Sequence, residues 1–151
     1  VNLLEQHTVG GHFLRFTPAV LEAGSTLKVI ADLMRHSEGR SFPVRGPDGR
    51  LCGMLDIQRV RGLVFEEELF DLVVAQDVMG PLFSVTPQEN LYAALLKFVE
   101  SGYEQLPVLA AAPDQDGGGE LLGMLNRRAV FGAYAGGIRH VREQQEQGLG
   151  E

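Results

Sequence analysis

The amino-acid sequence predicts a mixed α+β fold made of two copies of one small unit, each a small sheet with two flanking helices. Three observations support this prediction. Apolar residues recur at a shift of 64 residues, the motif Gly-Met-Leu recurs at a shift of 70 residues, and the predicted helices and strands follow in the same order in both copies. Such self-similarity indicates an internal duplication, so each copy is one structural unit.

The duplicated motif consists of a short apolar strand, a polar turn and a second strand. Residues 38–56 read EGRSFPVRGPDGRLCGMLD, and residues 102–126 read GYEQLPVLAAAPDQDGGGELLGMLN. The pairs at the shift of 64 are Leu27 with Leu91, Pro43 with Pro107 and Val44 with Val108, and those at the shift of 70 are Gly53, Met54 and Leu55 with Gly123, Met124 and Leu125. The six additional residues fall in PDQDGGG, which is typical of a surface turn and lengthens a hairpin at little entropic cost.

An amphipathic helix precedes the hairpin in each copy. In residues 25–36, apolar side chains recur at three- and four-residue spacing, namely Leu27, Ile30, Ala31 and Met34, and Ser25 is the predicted N-cap. In residues 90–101 the same spacing is shown by Leu91, Ala94, Leu95 and Phe98. Asn90 is the predicted N-cap of this second helix, and Gly102 follows its end.

The remaining elements also repeat. The predicted hairpin strands are 41–44 with 50–55 and 105–110 with 120–125, and a further helical segment follows at about 57–65 and 127–136. We place the first repeat at 7–66, the second repeat at 67–138, and a polar tail at 139–151 that continues as a helix end or disorder. Because one such unit cannot cover both faces of its sheet, the two copies are expected to pack sheet to sheet about a pseudo-twofold axis.

Composition limits the functions that the chain can have. Its 151 residues carry a formal net charge of -7, so binding to a phosphate backbone is not expected. The single cysteine, Cys52, lies in an apolar stretch, where we expect a buried free thiol and a reducing compartment. No apolar run approaches the roughly 18 residues needed to cross a bilayer, so we expect a soluble chain. The sequence begins with Val1 rather than Met, which is explained by processing or by a piece of a longer polypeptide, and we favour the second explanation.

The doubled pattern resembles a pair of CBS domains, the Bateman module, over about residues 7–136. The resemblance rests on Asp-Val-Met at 77–79, on Gly-x-x-x-Leu-Pro-Val at 102–108 and on LLGML at 121–125. The stretch EEELFDLVVAQDVM at 66–79, together with EQLPVL and GMLNRRAVFGAY, further resembles the cytoplasmic carboxy-terminal CBS pair of prokaryotic CLC-type chloride channels and transporters. This resemblance implies a non-catalytic regulatory module at the cytoplasmic face of the cell membrane. It also implies homodimers and a membrane-embedded transport domain in the same polypeptide, since CLC proteins are themselves homodimers.

The resemblance implies adenine nucleotides, ATP, ADP or AMP, as candidate ligands. In many CBS pairs a Ser or Thr hydroxyl meets phosphate or ribose, and an Asp three residues later accepts from the ribose hydroxyls. Here Asp56 and Arg59 occupy these positions in the first copy, and Asn126 and Ala129 occupy them in the second, so neither copy keeps the pattern. The candidate nucleotide-binding residues are therefore Asp56, Arg59, Tyr103, Gln105, Pro107, Asn126 and Arg127. The alternatives are that Arg59, Arg127 and Arg128 are solvated charges and that Tyr103 and Gln105 are hairpin-edge residues.

Other kinds of site have weaker support in the sequence. The four histidines, His7, His12, His36 and His140, share no metal-ligand spacing, and no serine lies in a nucleophile motif, so we expect neither a metal site nor an enzyme. The stretch GGGE lacks the Gly-Lys-Ser/Thr of a P-loop and is expected to be a turn. Glu66, Glu67 and Glu68 are expected on a solvated face, and the four methionines in the core. The rival functional hypothesis is an adenine-nucleotide sensor, free-standing or attached to another transporter or enzyme.

Overall fold

The computed structural model describes residues 3–116 and 118–149. In this part of the chain, six strands form two three-stranded sheets, which confirms the predicted mixed α+β fold. The first sheet has the order β2-β3-β4 and contains Leu21–Glu22 (β2), Ser41–Arg45 (β3) and Leu51–Asp56 (β4). The second sheet has the order β1-β6-β5 and contains Leu14–Arg15 (β1), Gln105–Leu109 (β5) and Leu121–Asn126 (β6).

Four of the five α-helices in the described residues correspond to predicted helices, two of these four differ in length from the prediction, and the helix at Ala75–Val78 was not predicted. The five helices are Leu27–His36 (α1), Ile57–Val60 (α2), Ala75–Val78 (α3), Leu91–Ser101 (α4) and Arg127–Leu149 (α5). Short 3-10 helices lie at Leu3–Gln6, Val9–Gly11, Leu63–Phe65 and Glu67–Leu69. The helix predicted at 57–65 is interrupted near Gly62. The one predicted at 127–136 is too short, because the polar stretch after it consists of strong helix formers and continues α5.

The two hairpins have the same register and the same irregularity. Pro43 pairs with Met54 and Val44 with Gly53 in the first sheet, and their equivalents in the second sheet pair in the same way. A bulge follows Val44 in β3 and Val108 in β5. The longer turn of the second copy therefore leaves the hairpin itself unchanged, as the sequence predicted.

Equivalent residues begin the two long helices. Asn90 caps α4 by accepting from the backbone amide of Ala93 at 2.8 Å, as predicted. The prediction of Ser25 as the cap of α1 is wrong, because Thr26 is the N-cap and accepts from Val29 N at 3.5 Å. Ser25 Oγ instead accepts from the amide of Glu22, at 3.2 Å, and so closes the turn before the helix. The true cap, Thr26, is the residue that aligns with Asn90 at the shift of 64.

Each sheet is completed by the leading segment of the other repeat. Residues 7–15 run along the second sheet, where β1 pairs with β6 and Val9 N donates to Glu89 O at 2.8 Å. Residues 73–80 run along the first sheet, where Gly80 pairs with Met54 of β4 and Gly80 N donates to Met54 O at 2.7 Å. The two repeats have thus exchanged their leading segments, and neither sheet is complete without the other repeat.

The Gly-Met-Leu glycines allow these exchanged segments to approach closely. A Cβ atom on Gly53 would lie 2.5 Å from Met79 Sδ and 2.8 Å from Gly80 O. A Cβ atom on Gly123 would collide with the backbone carbonyl of Leu14 in β1. Because a backbone carbonyl cannot move aside as a flexible side chain can, we infer that the repeated glycine is a packing requirement.

Two apolar clusters form the core, one on each sheet. The first is centred on α1 and the first sheet, and the second on α4, α5 and the second sheet, where Val9 of the exchanged segment and Leu4 just before it are also buried. Met54 of the first sheet is buried in the second cluster, and β3 contacts β5, so the two sheets share one packed interior. Met54 and Met124 are fully buried and Met34 and Met79 pack at the edge, which confirms the prediction for the methionines.

Two surface predictions had different outcomes. The acidic residues at 66–68 are exposed, as expected. The prediction of a buried thiol is wrong, because Cys52 is the outward-facing residue of β4 and is exposed. Successive side chains of a strand point to opposite faces, and its neighbours Leu51 and Gly53 face inward.

Candidate functional site: a basic cleft between the two repeats

An open cleft of about 1170 Å³ lies where the two repeats meet. We call it the axial cleft, and the residues that line it are Glu38, Arg40, Gln58, Arg61, Leu95, Phe98, Val99, Gly102, Glu104, Gln105, Asn126, Arg127, Arg128 and Phe131. Several of these are equivalent residues in the duplication: Arg40 with Glu104 at the shift of 64, and Gln58 with Arg128 and Arg61 with Phe131 at the shift of 70. A cleft lined by both members of such pairs lies across the pseudo-twofold axis.

The ends of the elements bring these side chains to the cleft. Gly102, with φ of 72°, ends α4 in the left-handed conformation and turns the chain toward β5. Arg127, at the start of α5, donates its backbone N–H to Glu104 O at 2.9 Å. In the first repeat the equivalent bond joins Ile57 N to Arg40 O at 3.0 Å, so the same turn is built on both sides of the axis.

Gln105 joins the two repeats at the floor of the cleft. Its Oε1 accepts from the backbone amides of Arg40, at 3.1 Å, and Ser41, at 3.3 Å. Its Nε2 donates to Asn126 Oδ1 at 2.7 Å. The amide of Gln105 is therefore committed to protein partners, whereas Asn126 keeps its Nδ2 donors for a ligand or water.

The axial cleft is locally cationic in an acidic protein. Four arginines and two glutamates line it, which gives four positive charges against two negative charges, a formal charge of +2. Among the described residues, ion pairs join Arg35 to Asp32 and Lys97 to Glu89, and none involves an arginine of the cleft. Unpaired guanidinium groups in one concave surface attract anions, most strongly those that can accept bidentate hydrogen bonds.

Apolar side chains form one wall of the same cleft. Leu95, Phe98 and Val99 of α4 and Phe131 of α5 line it, and the side chain of Phe131 is 51% exposed. An exposed phenyl ring beside guanidinium groups offers a stacking surface next to an anion site. The arrangement suits a ligand with both a charged group and a planar or apolar group.

A second group of the predicted residues lies outside the axial cleft. Tyr103 is buried and donates its hydroxyl to Pro81 O at 2.7 Å. A Cβ atom on Gly80 would lie 2.5 Å from that hydroxyl and 3.2 Å from Arg59 Nη1, so these side chains fill the space beside Gly80. Burial raises the pKa of the Tyr103 phenol, the nearby Arg59 partly opposes this rise, and Asp56 adds to it. Asp56 caps α2 by accepting from Gln58 N at 3.0 Å.

The structure therefore separates the seven predicted site residues into two groups. Gln105, Asn126 and Arg127 line the axial cleft. Asp56, Arg59, Tyr103 and Pro107 are not part of its lining, and Pro107 is buried in β5 opposite Met124.

The sequence reasoning missed all four residues that the first repeat contributes to the cleft. These residues are Glu38, Arg40, Gln58 and Arg61. The duplication carried only part of the signal, because the shift of 70 applied to Arg128 gives Gln58, whereas Glu104 and Phe131, the equivalents of Arg40 and Arg61, were not candidates themselves.

Two further features of the described residues bear on function. No group of three His, Cys, Asp or Glu side chains comes together as a metal site in residues 3–116 and 118–149, and His140 lies outside the described side chains. None of the helices in this part of the chain combines the length with the apolar character that spanning a membrane requires.

Comparison with known proteins identifies the class of the fold. Residues 74–136, which cover most of the second repeat, match the family model described as CBS domain. No sequence among curated proteins matches the chain. The crystal structure of CBSX2 in complex with AMP is similar, with a TM-score of 0.63 and 22% identity over 92% of this chain and 98% of that chain.

Two membrane-protein domains are also similar to the chain in structure. The CBS domain of a CBS domain containing membrane protein from Sphaerobacter thermophilus gives a TM-score of 0.63 at 18% identity, covering 86% of this chain and 89% of that chain. The CBS domain of the bacterial CNNM/CorC family Mg²⁺ transporter in complex with ATP gives a TM-score of 0.69 at 18% identity, covering 88% and 90%. Residues 74–136 thus match the CBS domain, and the fold of the chain is the one seen in these CBS-domain structures.

Proposed function

We propose that the chain is a non-catalytic regulatory and dimerisation module of a CLC-type chloride channel or transporter, held at the cytoplasmic face of the membrane. The observation that carries the regulatory part is the axial cleft, which both repeats line and whose four arginines are unpaired among the described residues. The cleft is lined by cationic and apolar side chains, and its lining residues do not pair a nucleophile with a base. The family match does not indicate a catalytic family. These side chains suit the binding of a ligand rather than the catalysis of a reaction.

Regulation by such a cleft has a direct physical basis. A ligand that contacts Arg40 or Arg61 of the first repeat and Arg127 or Arg128 of the second binds more tightly when the repeats are close. Binding then shifts the population toward the closed arrangement by the difference in affinity between the two states. The transport domain would sense that shift through the chain that joins it to the module.

The attachment to a CLC-type protein is supported by the sequence of the joint between the repeats. The stretch EEELFDLVVAQDVM at 66–79 resembles the corresponding region of prokaryotic CLC-type proteins. A dimerising module also matches the twofold symmetry of a dimeric transport protein, so two appended copies can meet without strain. The expected partners are therefore a second copy of the module and the membrane domain of the same polypeptide.

The test of this attachment begins with the gene. About ten apolar segments encoded upstream of Val1 would support it, and a start codon directly before Val1 would contradict it. In proteoliposomes containing the full-length protein, chloride flux is then measured for the wild type and for Arg61→Gln with Arg127→Gln. We expect flux to change in the cleft variant and to stay unchanged in Arg142→Gln, which removes an exposed charge outside the cleft.

A second candidate function, adenine-nucleotide sensing, is favoured by the same cationic cleft. Two proteins of similar fold are in complex with AMP and with ATP. In this chain Ala129 has no polar atom to accept a ribose hydroxyl, and Asp56 presents a carboxylate in place of a hydroxyl. Losing one charge-assisted hydrogen bond costs about 1.5–3 kcal/mol, or roughly tenfold to a hundredfold in affinity. The expected affinity is accordingly weak.

Calorimetric titration with ATP, ADP and AMP separates the two functions. Sub-millimolar affinity that is lost in Arg61→Gln with Arg127→Gln, and retained in Arg142→Gln, would support a nucleotide sensor. Inorganic triphosphate serves as the control for charge alone, because it binds without the base or ribose. The absence of a measurable heat of binding at several millimolar nucleotide would exclude nucleotide sensing and leave dimerisation as the function of the module.

A further inference from the structure

Two histidine side chains meet on the leading segment that completes the second sheet. The ring centroids of His7 and His12 lie 5.3 Å apart, and the ring planes make an angle of 88°. We call these two residues the histidine pair. Both are partly buried, and neither lines the axial cleft. Five residues separate them in the sequence, and their rings meet because the 3-10 helix Val9–Gly11 folds the chain back between them.

The backbone of the histidine pair is fixed against the start of α4. His7 O accepts from Leu91 N at 2.9 Å, and Val9 N donates to Glu89 O at 2.8 Å. The amide of His12 donates to Val9 O at 2.9 Å and closes the turn. The packed body of the second repeat therefore holds both rings near each other, so a ligand that binds both does not have to order the turn first.

The hydrogen bond of the His12 ring determines which of its nitrogens is available to a ligand. His12 Nδ1 lies 2.9 Å from Thr8 O. Because a carbonyl oxygen only accepts, Nδ1 carries the proton of the neutral imidazole, and Nε2 keeps its lone pair. A ring N–H donated to a backbone carbonyl is the support that metal-ligating histidines have in proteins. Among the described residues the His7 ring has no hydrogen-bond partner, so either of its nitrogens can act as a ligand.

The duplication supplies an internal comparison for the histidine pair. The two leading segments align at a shift of 66 residues when the hydrogen bonds that attach them to the first residues of α1 and α4 are matched. At this shift His7 and His12 correspond to Val73 and Val78, which pack against the apolar cluster of the first sheet. Apolar side chains thus satisfy the fold at both positions. Packing does not require two imidazoles there, and their joint presence points to a ligand that both of them bind.

We propose that the histidine pair binds a divalent transition-metal ion of the zinc type, with water in the remaining coordination positions. Imidazole nitrogen is a preferred ligand of such ions. Two imidazoles on one tetrahedral Zn²⁺, at Zn–N distances of about 2.0–2.1 Å, have ring centroids roughly 5 Å apart. The separation of 5.3 Å between His7 and His12 agrees with this geometry. The site is independent of the proposed function, because neither histidine lines the axial cleft.

A metal ion at this place would fasten the leading segment to the second sheet. The histidine pair lies just before β1, and Val9 between the two histidines is fully buried in the second apolar cluster. An ion bound to both rings favours the turn in its docked conformation. Because the unfolded chain does not hold the two rings together, metal binding stabilises the folded state by mass action.

The test is calorimetric titration of the 151-residue chain with ZnCl₂. All proteins carry Cys52→Ser, because the exposed thiol of Cys52 is another zinc ligand. The pair variant His7→Val with His12→Val introduces the residues of the first repeat. The control is His36→Gln, because His36 Nδ1 also bonds to a backbone carbonyl, Asp32 O at 2.8 Å, but no second imidazole contacts its ring among the described residues.

We expect one Zn²⁺ ion per chain, with an affinity that falls at least about a hundredfold in the pair variant and stays unchanged in the control. At ZnCl₂ of about 100 times Kd, Tm should rise by about 5–10 °C in the chain with the histidine pair and in the control. Zinc binding that persists in the pair variant, or that is absent when both histidines are present, would overturn the site.

Nitrogen NMR of the imidazole rings covers the case in which the pair variant fails to fold. The chain with Cys52→Ser alone is titrated with ZnCl₂. We expect the His12 Nε2 resonance to shift while Nδ1 keeps its proton, and one nitrogen of His7 to shift in the same titration. A shift confined to other histidines, or to one ring of the histidine pair, would overturn the proposed coordination.

Discussion

Replacing Gln105 with leucine is expected to loosen the contact between the two repeats. The substitution removes the acceptor for the amides of Arg40 and Ser41 and the donor to Asn126. The Arg40 amide can recover water, so its loss costs the net value of one hydrogen bond, about 1 kcal/mol. Ser41 is only 3% exposed, and an unsatisfied buried donor costs about 1–3 kcal/mol. Together the free energy of unfolding should fall by about 2–4 kcal/mol.

The assay is urea unfolding followed by circular dichroism, with thermal unfolding as a second measurement. For a chain of this size each kcal/mol corresponds to roughly 2–4 °C in Tm. The matched control is Gln105→Glu, whose carboxylate still accepts from both amides and receives a donor when the Asn126 amide turns over. We expect this control to stay within about 1 kcal/mol of the wild type. A Gln105→Leu protein as stable as Gln105→Glu would show that this residue does not hold the repeats together.

Three further substitutions test other parts of the structure. Gly123→Ala should destabilise the fold by about 1–3 kcal/mol or more in urea unfolding, because its Cβ meets a backbone carbonyl of β1, whereas Gly119→Ala, with open space around it, should be neutral. Lys97→Met should lower the free energy of unfolding by about 1 kcal/mol, because it breaks the 2.7 Å ion pair with Glu89 and the 2.7 Å hydrogen bond to the backbone carbonyl of Ser84. The control Arg35→Met loses only an exposed 3.8 Å ion pair with Asp32 and should change stability little. The raised pKa of Tyr103 means that the unfolded chain ionises first, so stability is complete below pH ~10 and falls as pH rises above it. Absorbance of phenolate during an alkaline titration should show one late tyrosine, which Tyr103→Phe removes.

The sequence correctly predicted the elements that occur in the same form in both copies of the duplication. Both hairpins, the cap at Asn90 and the turn at Gly102 follow from local patterns that depend on a few neighbouring residues. The cap of α1 was misplaced by one residue because Ser25 and Thr26 are both good caps, and local preference alone cannot choose between them. Alignment of the two copies would have chosen correctly, since only Thr26 matches Asn90.

The exchange of leading segments could not be predicted from the sequence. Residues 7–15 and 73–80 have no strong period of their own, and β1 contains only two residues. Which sheet such a segment joins is decided by tertiary packing, namely by the glycines that admit it and the pockets that bury Leu4 and Val9. The cleft was only partly predicted for the same reason, because the family motif points to one copy at a time and the cleft is shared between the two.

The exchange limits how the proposed ligand response can work. Since each sheet is completed by a segment from the other repeat, the repeats cannot separate without exposing Leu4 and Val9, and any response is confined to small rotations about the contact at Gln105. Without a bound anion, mutual repulsion among the four guanidinium groups opposes closure of the cleft. A bound anion attracts these groups, so the electrostatic contribution then favours closure. Val99 and Phe131 line the cleft and are also exposed at the surface, so a rearrangement of the cleft would alter the surface there. Under the proposed function, a bound anion is therefore expected to act through small changes in how the repeats pack rather than through a large opening of the module.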